Sequence, residues 1–412
     1  LLLIAKHENE TVQEAFDLVV AGFSPLSSET ITLKEAHGRV LSEDVTAKVF
    51  HPPADVSSMD GYAVRAEDVA EVPVTLTQVG ESQAGGSYDA VVQTGQAARI
   101  FTGAPVPDGA DAIVIQENTE TNGDQIKVLT SAPKGKFIRP KGMDFCDGDV
   151  LLKAGRLMTA RDIATAAAMN APWLTVRRKP RIAVLATGNE LVMPGEPVGP
   201  GQIISSNSVA LGSYVAACGG EAINLGIAKD TEESLLECLQ GAKGADLLVT
   251  MGGASVGDYD LVGKVLGDQG MDLGFYKVAM RPGKPLIFGR LGDVPVLGVP
   301  GNPVSAAVST IIFVRAAIQV MLGMPTSSAT GETAILGEDL PANDERQDYL
   351  RSQFSQDADG NPVVVSAKLQ DSAMLARLAQ SDCLVIRAPH AAPAKAGDRV
   401  EIITLAQGLL TI

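Results

Sequence analysis

Residues 245–260 read ADLLVTMGGASVGDYD, a mostly apolar run followed by small residues, a serine and two aspartates. Its apolar part, 245–251, is too short for an amphipathic helix, shows no helical period and ends at glycines, which predicts an interior strand of a parallel sheet. Gly252 and Gly253 lack a Cβ, so the backbone can turn sharply there and approach a ligand closely. The stretch therefore predicts a ligand loop at the end of a buried strand.

Polar side chains follow these glycines. Ser255 offers a hydroxyl, and Asp258 and Asp260 put two carboxylates just before the next helical run, 261–266. Two carboxylates repel a bare phosphate but hold a divalent cation that carries phosphate or another oxyanion. A plain strand-to-helix turn with Asp260 as N-cap explains the same residues, so the loop alone leaves both interpretations open.

The surrounding residues, 179–323, alternate strand-like and helix-like runs, which is typical of a parallel α/β sheet. Two further loops follow predicted strands: TGNE at 187–190 and PGNP at 300–303. Ligands of such sheets bind at the carboxyl ends of the strands. We therefore expect these two loops and the loop at 252–260 to form one site.

Two helices of this region have recognisable sequence signals. Asp230 is predicted to cap the helix TEESLLECLQGA, because Glu233 three positions on completes a capping-box pattern. The apolar run 304–322 is long but is interrupted by Arg315 and Gln319, which favours a buried helix over a membrane span.

The predicted loops combine groups that suit phosphate and magnesium. Backbone amides and helix N-termini suit phosphate, and acid or amide side chains suit Mg²⁺. The side chains of that kind are Glu190, Asp258, Asp260 and Asn302. The nearby run AMRPGKPLIF adds Arg281 and Lys284, which are either an oxyanion site or the exposed tip of a hairpin. Together these residues predict metal-assisted chemistry at a phosphate.

Composition excludes several other classes of function. The chain has 412 residues, 45% hydrophobic and 20% charged, and its formal net charge of -16 disfavours nucleic-acid binding. The four cysteines and four histidines are scattered, which argues against a zinc site and predicts reduced thiols in a cytoplasmic protein. Neither a catalytic triad nor a Walker A or GxGxxG fingerprint is present in the sequence.

The remaining sequence predicts a multidomain α/β plus β protein. Residues 8–22 carry an apolar face at helical spacing, residues 72–150 contain short strands with a hairpin signal at Asn122-Gly123-Asp124, and residues 328–412 return to strands. We predict an N-terminal mixed helical domain (1–50 and 151–178), an inserted β domain (51–150), a three-layer α/β/α domain (179–327) and a C-terminal β-barrel-like domain (328–412).

Seven motifs in order then indicate a family. SSMDGYAV, FTGAPVPDGAD, IRPKGMD, ATGNEL, MGGASVGDYD, MRPGKPLIFG and GVPGNPVSA resemble the MoeA family of molybdopterin molybdenumtransferases, whose eukaryotic relatives include the E domain of gephyrin. The resemblance runs from about residue 8 to residue 405. It implies an enzyme that uses Mg²⁺ to cleave the adenylate from adenylylated molybdopterin and inserts molybdate, which yields molybdenum cofactor and AMP.

The resemblance also implies an assembly. Members form homodimers with the active site at the subunit interface, where the SSMDGY loop comes from the partner subunit. The molybdopterin adenylyltransferase is a further candidate partner, and neither nucleic acid nor membrane is expected.

The same resemblance implies site positions: Asp60, Thr102, Asp144, Glu190, Asp230, Asp260, Arg281, Lys284, Pro300, Pro303, Arg346, Arg351 and Ser372. The expected catalytic residues are Asp60, Glu190, Asp230, Asp260 and Lys284, and the expected Mg²⁺ ligands are Glu190, Asp258 and Asp260. The others are expected to bind substrate, together with Gly252, Gly253, Ser255 and Asn302.

The sequence departs from the family pattern in three places. Asn189 replaces the acid of TGDEL, Arg281 replaces the first lysine of KPGKP, and the run ERQDYLR, with Glu345 for glycine, replaces GRxEYxR. Arginine keeps the charge of lysine but changes its geometry. Two alternatives to the insertase are a scaffold of the same fold without the chemistry, and an adenylyltransferase or nucleotide pyrophosphatase relative. The acids argue against a scaffold, and the flanking β domains argue against the adenylyltransferase.

Overall fold

A computed structural model describes residues 7–86, 88–252, 261–328 and 331–405. The strands before residue 179 are β1 (His7–Glu10), β2 (Ser28–Thr32), β3 (Val45–Thr46), β4 (Val56–Ser57), β5 (Gly61–Val64), β6 (Val74–Ser82), β7 (Gln96–Ile100), β8 (Ala112–Ile115), β9 (Thr119–Asn122), β10 (Gln125–Val128), β11 (Ile138–Arg139), β12 (Val150–Leu152) and β13 (Trp173–Arg177). The later strands are β14 (Arg181–Thr187), β15 (Leu191–Val192), β16 (Ile203–Ile204), β17 (Glu221–Ala228), β18 (Leu247–Met251), β19 (Asp272–Val278), β20 (Met280–Arg281), β21 (Ile287–Leu291), β22 (Val294–Val299), β23 (Thr333–Ile335), β24 (Gln347–Gln356), β25 (Pro362–Ser366), β26 (Cys383–Arg387) and β27 (Arg399–Thr404).

The α-helices are α1 (Val12–Ala21), α2 (Ala160–Ala168), α3 (Asn207–Ala217), α4 (Glu232–Gln240), α5 (Leu261–Asp268), α6 (Pro303–Ser309), α7 (Arg315–Met321) and α8 (Leu375–Ala379). A π-helical turn, Thr310–Val314, joins α6 to α7. Short 3-10 turns lie at Leu33–Glu35, Ala66–Val69 and Gln116–Asn118.

The central sheet runs in the order β1-β19-β21-β22-β18-β14-β17. Its strands β22, β18, β14 and β17 are parallel neighbours, as the apolar runs predict. Every residue of β18 is buried, which fits an interior strand with helices on both faces. One core cluster packs α1, α3, α6 and α7 against one face, and a second packs α4 and α5 against the other. The predicted three-layer α/β/α architecture is therefore confirmed.

The long apolar helix lies in this core. By length and composition alone, the run Pro303–Met321 could cross a membrane, but 78% of its most apolar window is buried inside the protein. It is a core helix, in agreement with the interpretation from the sequence.

The N-terminal residues join the central sheet. β1 pairs in parallel with β19, and α1 packs on β19 and α7. The predicted apolar face of α1 is confirmed, since Val12, Ala15, Phe16 and Val19 are buried. Residues 7–21 thus pack with the α/β sheet, whereas β2 pairs with β13 and β3 pairs with β12.

The helix cap predicted at Asp230 is wrong. Thr231 is the N-cap of α4, and its side chain accepts a hydrogen bond from Ser234 N at 3.2 Å. Both residues are good cap formers, and sequence alone does not fix which of two neighbours takes the extended backbone. The carboxylate of Asp230 is thereby released for a contact with the loop after β14.

Two β sheets flank the central one. The first has the order β8-β5-β7-β6-β10-β9, and its β9–β10 hairpin turns at Asn122-Gly123-Asp124, as predicted. The second has the order β20-β24-β26-β27-β23, with β25 paired to β24. β20 belongs to the RPGKP loop (281–285), so this sheet connects that loop to the C-terminal residues.

Candidate functional site

Four strand-end loops meet at one edge of the central sheet. Gly188 N donates to Ala228 O at 3.2 Å, which joins the loops after β14 and β17. The Thr187 hydroxyl donates to Met251 O at 3.3 Å, and Gly252 N donates to Val299 O at 3.3 Å. The predicted meeting of the loops after β14, β18 and β22 is thus observed for their described residues.

Gly252 is required by the close approach of two of these loops. Its φ is +89°, and a Cβ there would lie 2.7 Å from Thr187 O, a backbone atom. A Cβ on Gly301 would lie 3.5 Å from the Gly252 Cα. Gly252 therefore lets the loop after β18 approach the end of β14 through its backbone, and Gly301 of the loop after β22 lies in ordinary contact with it.

Acidic side chains line the neighbouring loop ends. Asn189 N donates to the Asp230 carboxylate at 3.0 Å, and Asp230 N donates back to the Asn189 side-chain oxygen at 3.1 Å. The Glu190 side chain is exposed and folds back over Gly188, where a Cβ would lie 2.5 Å from its carboxylate. Glu190 and Asp230 thus present acids from adjacent loops. Asparagine at 189 forms the bond to Asp230 N as an aspartate would.

The loop after β22 is held by the C-terminal part of the chain. Asn302 donates from its side chain to the Ser372 hydroxyl at 2.9 Å, and Val304 N donates to Ser372 O at 3.0 Å. Pro303 opens α6, and the buried Pro300 precedes the turn. The structure therefore brings Pro300, Asn302, Pro303 and Ser372 together.

Arg351 supports the Ser372 loop from beneath. Its side chain donates to Asp371 O at 2.8 Å and to the Gln370 side-chain oxygen at 3.1 Å, and the residue is only 1% exposed. These acceptors are neutral, and no ion pair of Arg351 falls within the described ranges. Burial lowers the pKa of its guanidinium from the ordinary value. Arg351 thus adds buried positive charge behind Ser372.

Arg281 is held by carboxylates. Its guanidinium donates to Asp344 at 2.8 Å and also bonds Asp348, and the Asp348 hydrogen bond raises the pKa of Arg281. Arg346 binds the same Asp344 carboxylate at 3.2 Å. Lys284, three residues after Arg281, is exposed and makes no ion pair with the described part of the chain. Of the two cations predicted to bind an oxyanion, only Arg281 is paired with an acid among the residues that the structure describes.

A second group of predicted residues lies in the β sheet of residues 51–150. Thr102 donates from its amide at 2.7 Å and from its hydroxyl at 2.8 Å to the Asp60 carboxylate, and these bonds lower the pKa of Asp60. Asp144 is exposed, and its amide donates to His51 O at 3.0 Å. Across the described ranges, no hydrogen bond or ion pair joins residues 51–150 to residues 179–405. The predicted site is thus divided between two parts of the chain.

Comparison with known proteins covers both parts. The chain matches the MoeA N-terminal region (domain I and II) over residues 10–170, the probable molybdopterin binding domain over residues 183–320 and the MoeA C-terminal region (domain IV) over residues 333–405. It is 41% identical to a molybdopterin molybdenumtransferase of Nostoc sp. over 76% of this chain and 74% of that one. It is 33% identical to that of Haemophilus influenzae over 92% of this chain and 94% of that one. The chain belongs to the molybdopterin molybdenumtransferase family.

A solved structure gives the same result. The molybdopterin biosynthesis moeA protein of Pyrococcus horikoshii OT3 has a TM-score of 0.84 and 28% identity, over 96% of this chain and all (100%) of that one. The family and the transferase class predicted from the motifs are confirmed.

Four predicted residues of this family site lie outside the described residues: Gly253, Ser255, Asp258 and Asp260. The predicted Mg²⁺ site depends on two of them. Within the described ranges, no group of three or more His, Cys, Asp or Glu side chains is arranged to hold a metal ion. Glu190 is the described member of the predicted ligand set, so that set stays a prediction.

Sequence reasoning missed the residues that hold the site in place. Asp344 and Asp348 bind Arg281, Gln370 binds Arg351, and the Asn207 side chain donates to Gly301 O at 2.6 Å. Each is separated from its partner by 19 to 94 positions, so no local pattern links them. The run ERQDYLR was the one local sign of this network, because it contains Arg346, Asp348 and Arg351.

Proposed function

We propose that this protein inserts molybdate into adenylylated molybdopterin, with Mg²⁺-dependent cleavage of the adenylate, to give molybdenum cofactor and AMP. The observation that carries the proposal is the convergence at one sheet edge of acids, backbone loops and a C-terminal hydroxyl. Glu190 and Asp230 provide the acids, and Asn302 bonded to Ser372 joins the C-terminal loop to them. Such a cleft suits a phosphate-bearing pterin and an oxyanion substrate together.

The donor chemistry fits Mg²⁺. This ion commonly binds one or two protein carboxylates and completes its shell with water and substrate phosphate oxygens. Glu190, which is exposed at the sheet edge, would hold it together with Asp258 and Asp260. When bound, Mg²⁺ neutralises charge on the pyrophosphate that is cleaved. Asp230 fixes the Glu190 loop through its hydrogen bonds with Asn189.

Positive charge for the oxyanion comes from Lys284 and Arg351. Lys284 is exposed and has no ion-pair partner in the described ranges, and Arg351 gives its hydrogen bonds to neutral acceptors. Lysine binds an oxyanion as a point charge with three donors. In this proposal Lys284 contacts molybdate directly, and Arg351 acts from beneath through the Ser372 loop.

We infer a homodimer in the cytoplasm, with Asp60 and Thr102 acting on the cleft of the partner subunit. The support is the lack of any hydrogen bond or ion pair from residues 51–150 to residues 179–405 in the described part of one chain. A preformed, hydrogen-bonded Asp60 carboxylate then has a role at the neighbouring cleft. The adenylyltransferase that supplies the adenylylated pterin is the expected transient partner.

The test is release of AMP. The purified protein, adenylylated molybdopterin, Mg²⁺ and molybdate should yield AMP and active cofactor, and omission of molybdate or addition of a chelator should stop both. Glu190→Gln should lower the rate at least about 10-fold, since it removes a metal-binding charge. The matched control is Glu221→Gln, an exposed acid at the amino end of β17, which should retain the parental rate.

Two outcomes would contradict the proposal. Conversion of ATP and plain molybdopterin without AMP release from the adenylylated form would assign an adenylyltransferase. A folded dimer that binds the adenylylated pterin but never cleaves it would assign a scaffold.

A further inference from the structure

Arg281 and Asp348 form a pair across two strands. β20 and β24 run parallel, and Arg281 lies in register with Asp348. Gln347 N donates to Ala279 O at 2.9 Å beside them. The pair therefore sits where the RPGKP loop leaves the α/β sheet and joins the C-terminal sheet.

The Asp348 side chain is almost fully enclosed. It is 7% exposed, whereas Asp344, the second acid on Arg281, is 35% exposed. Arg281 also reaches the Asn343 side-chain oxygen at 3.3 Å. A guanidinium with these three acceptors has most of its donors engaged, which leaves it poorly suited to hold a substrate anion.

The loop that follows depends on this anchor. Val278 N donates to Lys284 O at 2.9 Å, and Lys277 N donates to Leu286 O at 2.9 Å, so the loop is closed at its base. Lys284 lies three residues beyond Arg281. Arg281 thus fixes the start of the loop, and these backbone bonds fix its end at Lys284.

This chain differs from the family pattern at both positions of the pair. The family pattern KPGKP has lysine where Arg281 stands, and GRxEYxR has glutamate where Asp348 stands. Arg281 is thus longer than the lysine of the pattern, and Asp348 is one methylene shorter than its glutamate. Arginine and lysine differ in geometry as well as in length, so the two exchanges are tested together.

We propose that Arg281 and Asp348 act as one positioning unit that fixes the Lys284 loop against the C-terminal sheet, and that Arg281 does not contact the oxyanion. The role assigned to Lys284 rests on the function proposed above. Arg281 is then a positioning residue, in contrast to the substrate-binding role expected from its motif.

A double exchange tests this unit. The variants are Arg281→Lys, Asp348→Glu and the two combined, with Lys395→Arg plus Asp339→Glu as the matched control. That control pair is 2.7 Å apart, and its side chains are 72% and 59% exposed. Two readouts are measured: deuterium exchange at the amides of residues 278 and 347, and KM for molybdate against kcat for AMP release.

Each single variant should speed deuterium exchange at the two amides and raise KM for molybdate about 10-fold, with a smaller change in kcat. The reason is that the lysine of Arg281→Lys is too short, and the glutamate of Asp348→Glu too long, for the distance between the two strands. The combined variant should return both readouts to within about twofold of the parent, and the control should change neither. Asp344→Asn, at the more exposed acid, should change the same two readouts in the same direction but less. This variant keeps the proposal testable if a single variant at 281 or 348 does not fold.

Three results would overturn the proposal: no change in exchange in any variant, losses that multiply in the combined variant, or a raised KM that persists after exchange has been restored. The last result would return Arg281 to the substrate. Failure of the parent protein to release AMP would count against the proposed function instead, since the exchange readout does not need turnover.

Discussion

The side chain of Asn302 donates a hydrogen bond of 2.9 Å to the hydroxyl of Ser372, which lies 70 positions later in the chain. The backbone bond from Val304 N to Ser372 O, 3.0 Å long, reinforces it. The loop after a central strand is thus fixed by the C-terminal part of the chain. One consequence is that the segment between β25 and α8 contributes directly to the geometry of the candidate site.

Asn302→Ala and Ser372→Ala remove the same hydrogen bond. Each should lower the free energy of unfolding by about 1 kcal/mol, and the double variant should lose less than the sum, because the second change has no bond left to remove. Chemical denaturation of the four proteins measures this coupling. Ser355→Ala, at an exposed position of β24, is the control. Strictly additive losses would mean that the bond does not contribute.

Arg351 is expected to be the most sensitive residue beneath this loop. It is 1% exposed and donates to Asp371 O and the Gln370 side chain. Arg351→Leu should lower the free energy of unfolding by about 3 kcal/mol, because it breaks a buried hydrogen-bond network. Calorimetry should show this as a lower melting temperature. Arg377→Leu, on the exposed side of α8, should change it little, and equal shifts would contradict the expected role of Arg351.

The sequence predicted the parallel strands of the central sheet and the β9–β10 hairpin well because their signals are local. β14 and β18 are short apolar runs that end in glycine, and the hairpin at Asn122-Gly123 has a turn that only a few residue pairs form. The loops at the carboxyl ends of the parallel strands follow from topology alone.

The rest depended on distant partners. The four residues of β1, HENE, have no apolar alternation, and only their pairing with β19 makes them a strand. The local sequence around Arg281 is the same whether its side chain binds a substrate or an acid. Its partner Asp348 is 67 positions away, so no local pattern reveals the pair. The predicted N-cap of α4 was wrong by one residue because Thr231 and Asp230 are both good N-cap residues.

The pKa of Asp60 should respond to Thr102. The backbone and side-chain hydrogen bonds of Thr102 stabilise the carboxylate and hold its pKa below the usual 3.8. Thr102→Ala should raise that pKa, because the hydroxyl donor is lost while the amide donor remains. A carboxyl-carbon NMR titration measures the change, with Thr121→Ala on the same sheet as the control.

The sign of the pH dependence follows from this depressed pKa. The Asp60–Thr102 contact contributes its stability above the unfolded pKa near 3.8 and loses it as pH falls through the lower folded value. At neutral pH the contact is intact, so Thr102→Ala should affect the cleft without altering the charge of Asp60. An unchanged Asp60 titration in the variant would contradict a contribution of the Thr102 hydroxyl to the lowered pKa.

Gly252 provides a test of the strand-end geometry. An alanine there would need a φ of +89° and would put its Cβ 2.7 Å from Thr187 O. Gly270 is a matched control, since its φ is +84° but a Cβ there meets nothing within 4 Å. Both alanine variants share the cost of the left-handed backbone, about 1–2 kcal/mol. Only Gly252→Ala adds the clash, which raises its expected loss of unfolding free energy by about 1–3 kcal/mol.

The two alanine variants should differ more in activity than in the free energy of unfolding. The clash at Gly252 pushes the loop after β18 away from the one after β14, and with it the acids expected to hold Mg²⁺. AMP release should therefore fall at least about 10-fold in Gly252→Ala. In Gly270→Ala it should stay near the parental rate, because the added methyl group points into open space. Equal losses in the two variants would mean that the backbone conformation, and not the contact with Thr187, makes glycine necessary at position 252.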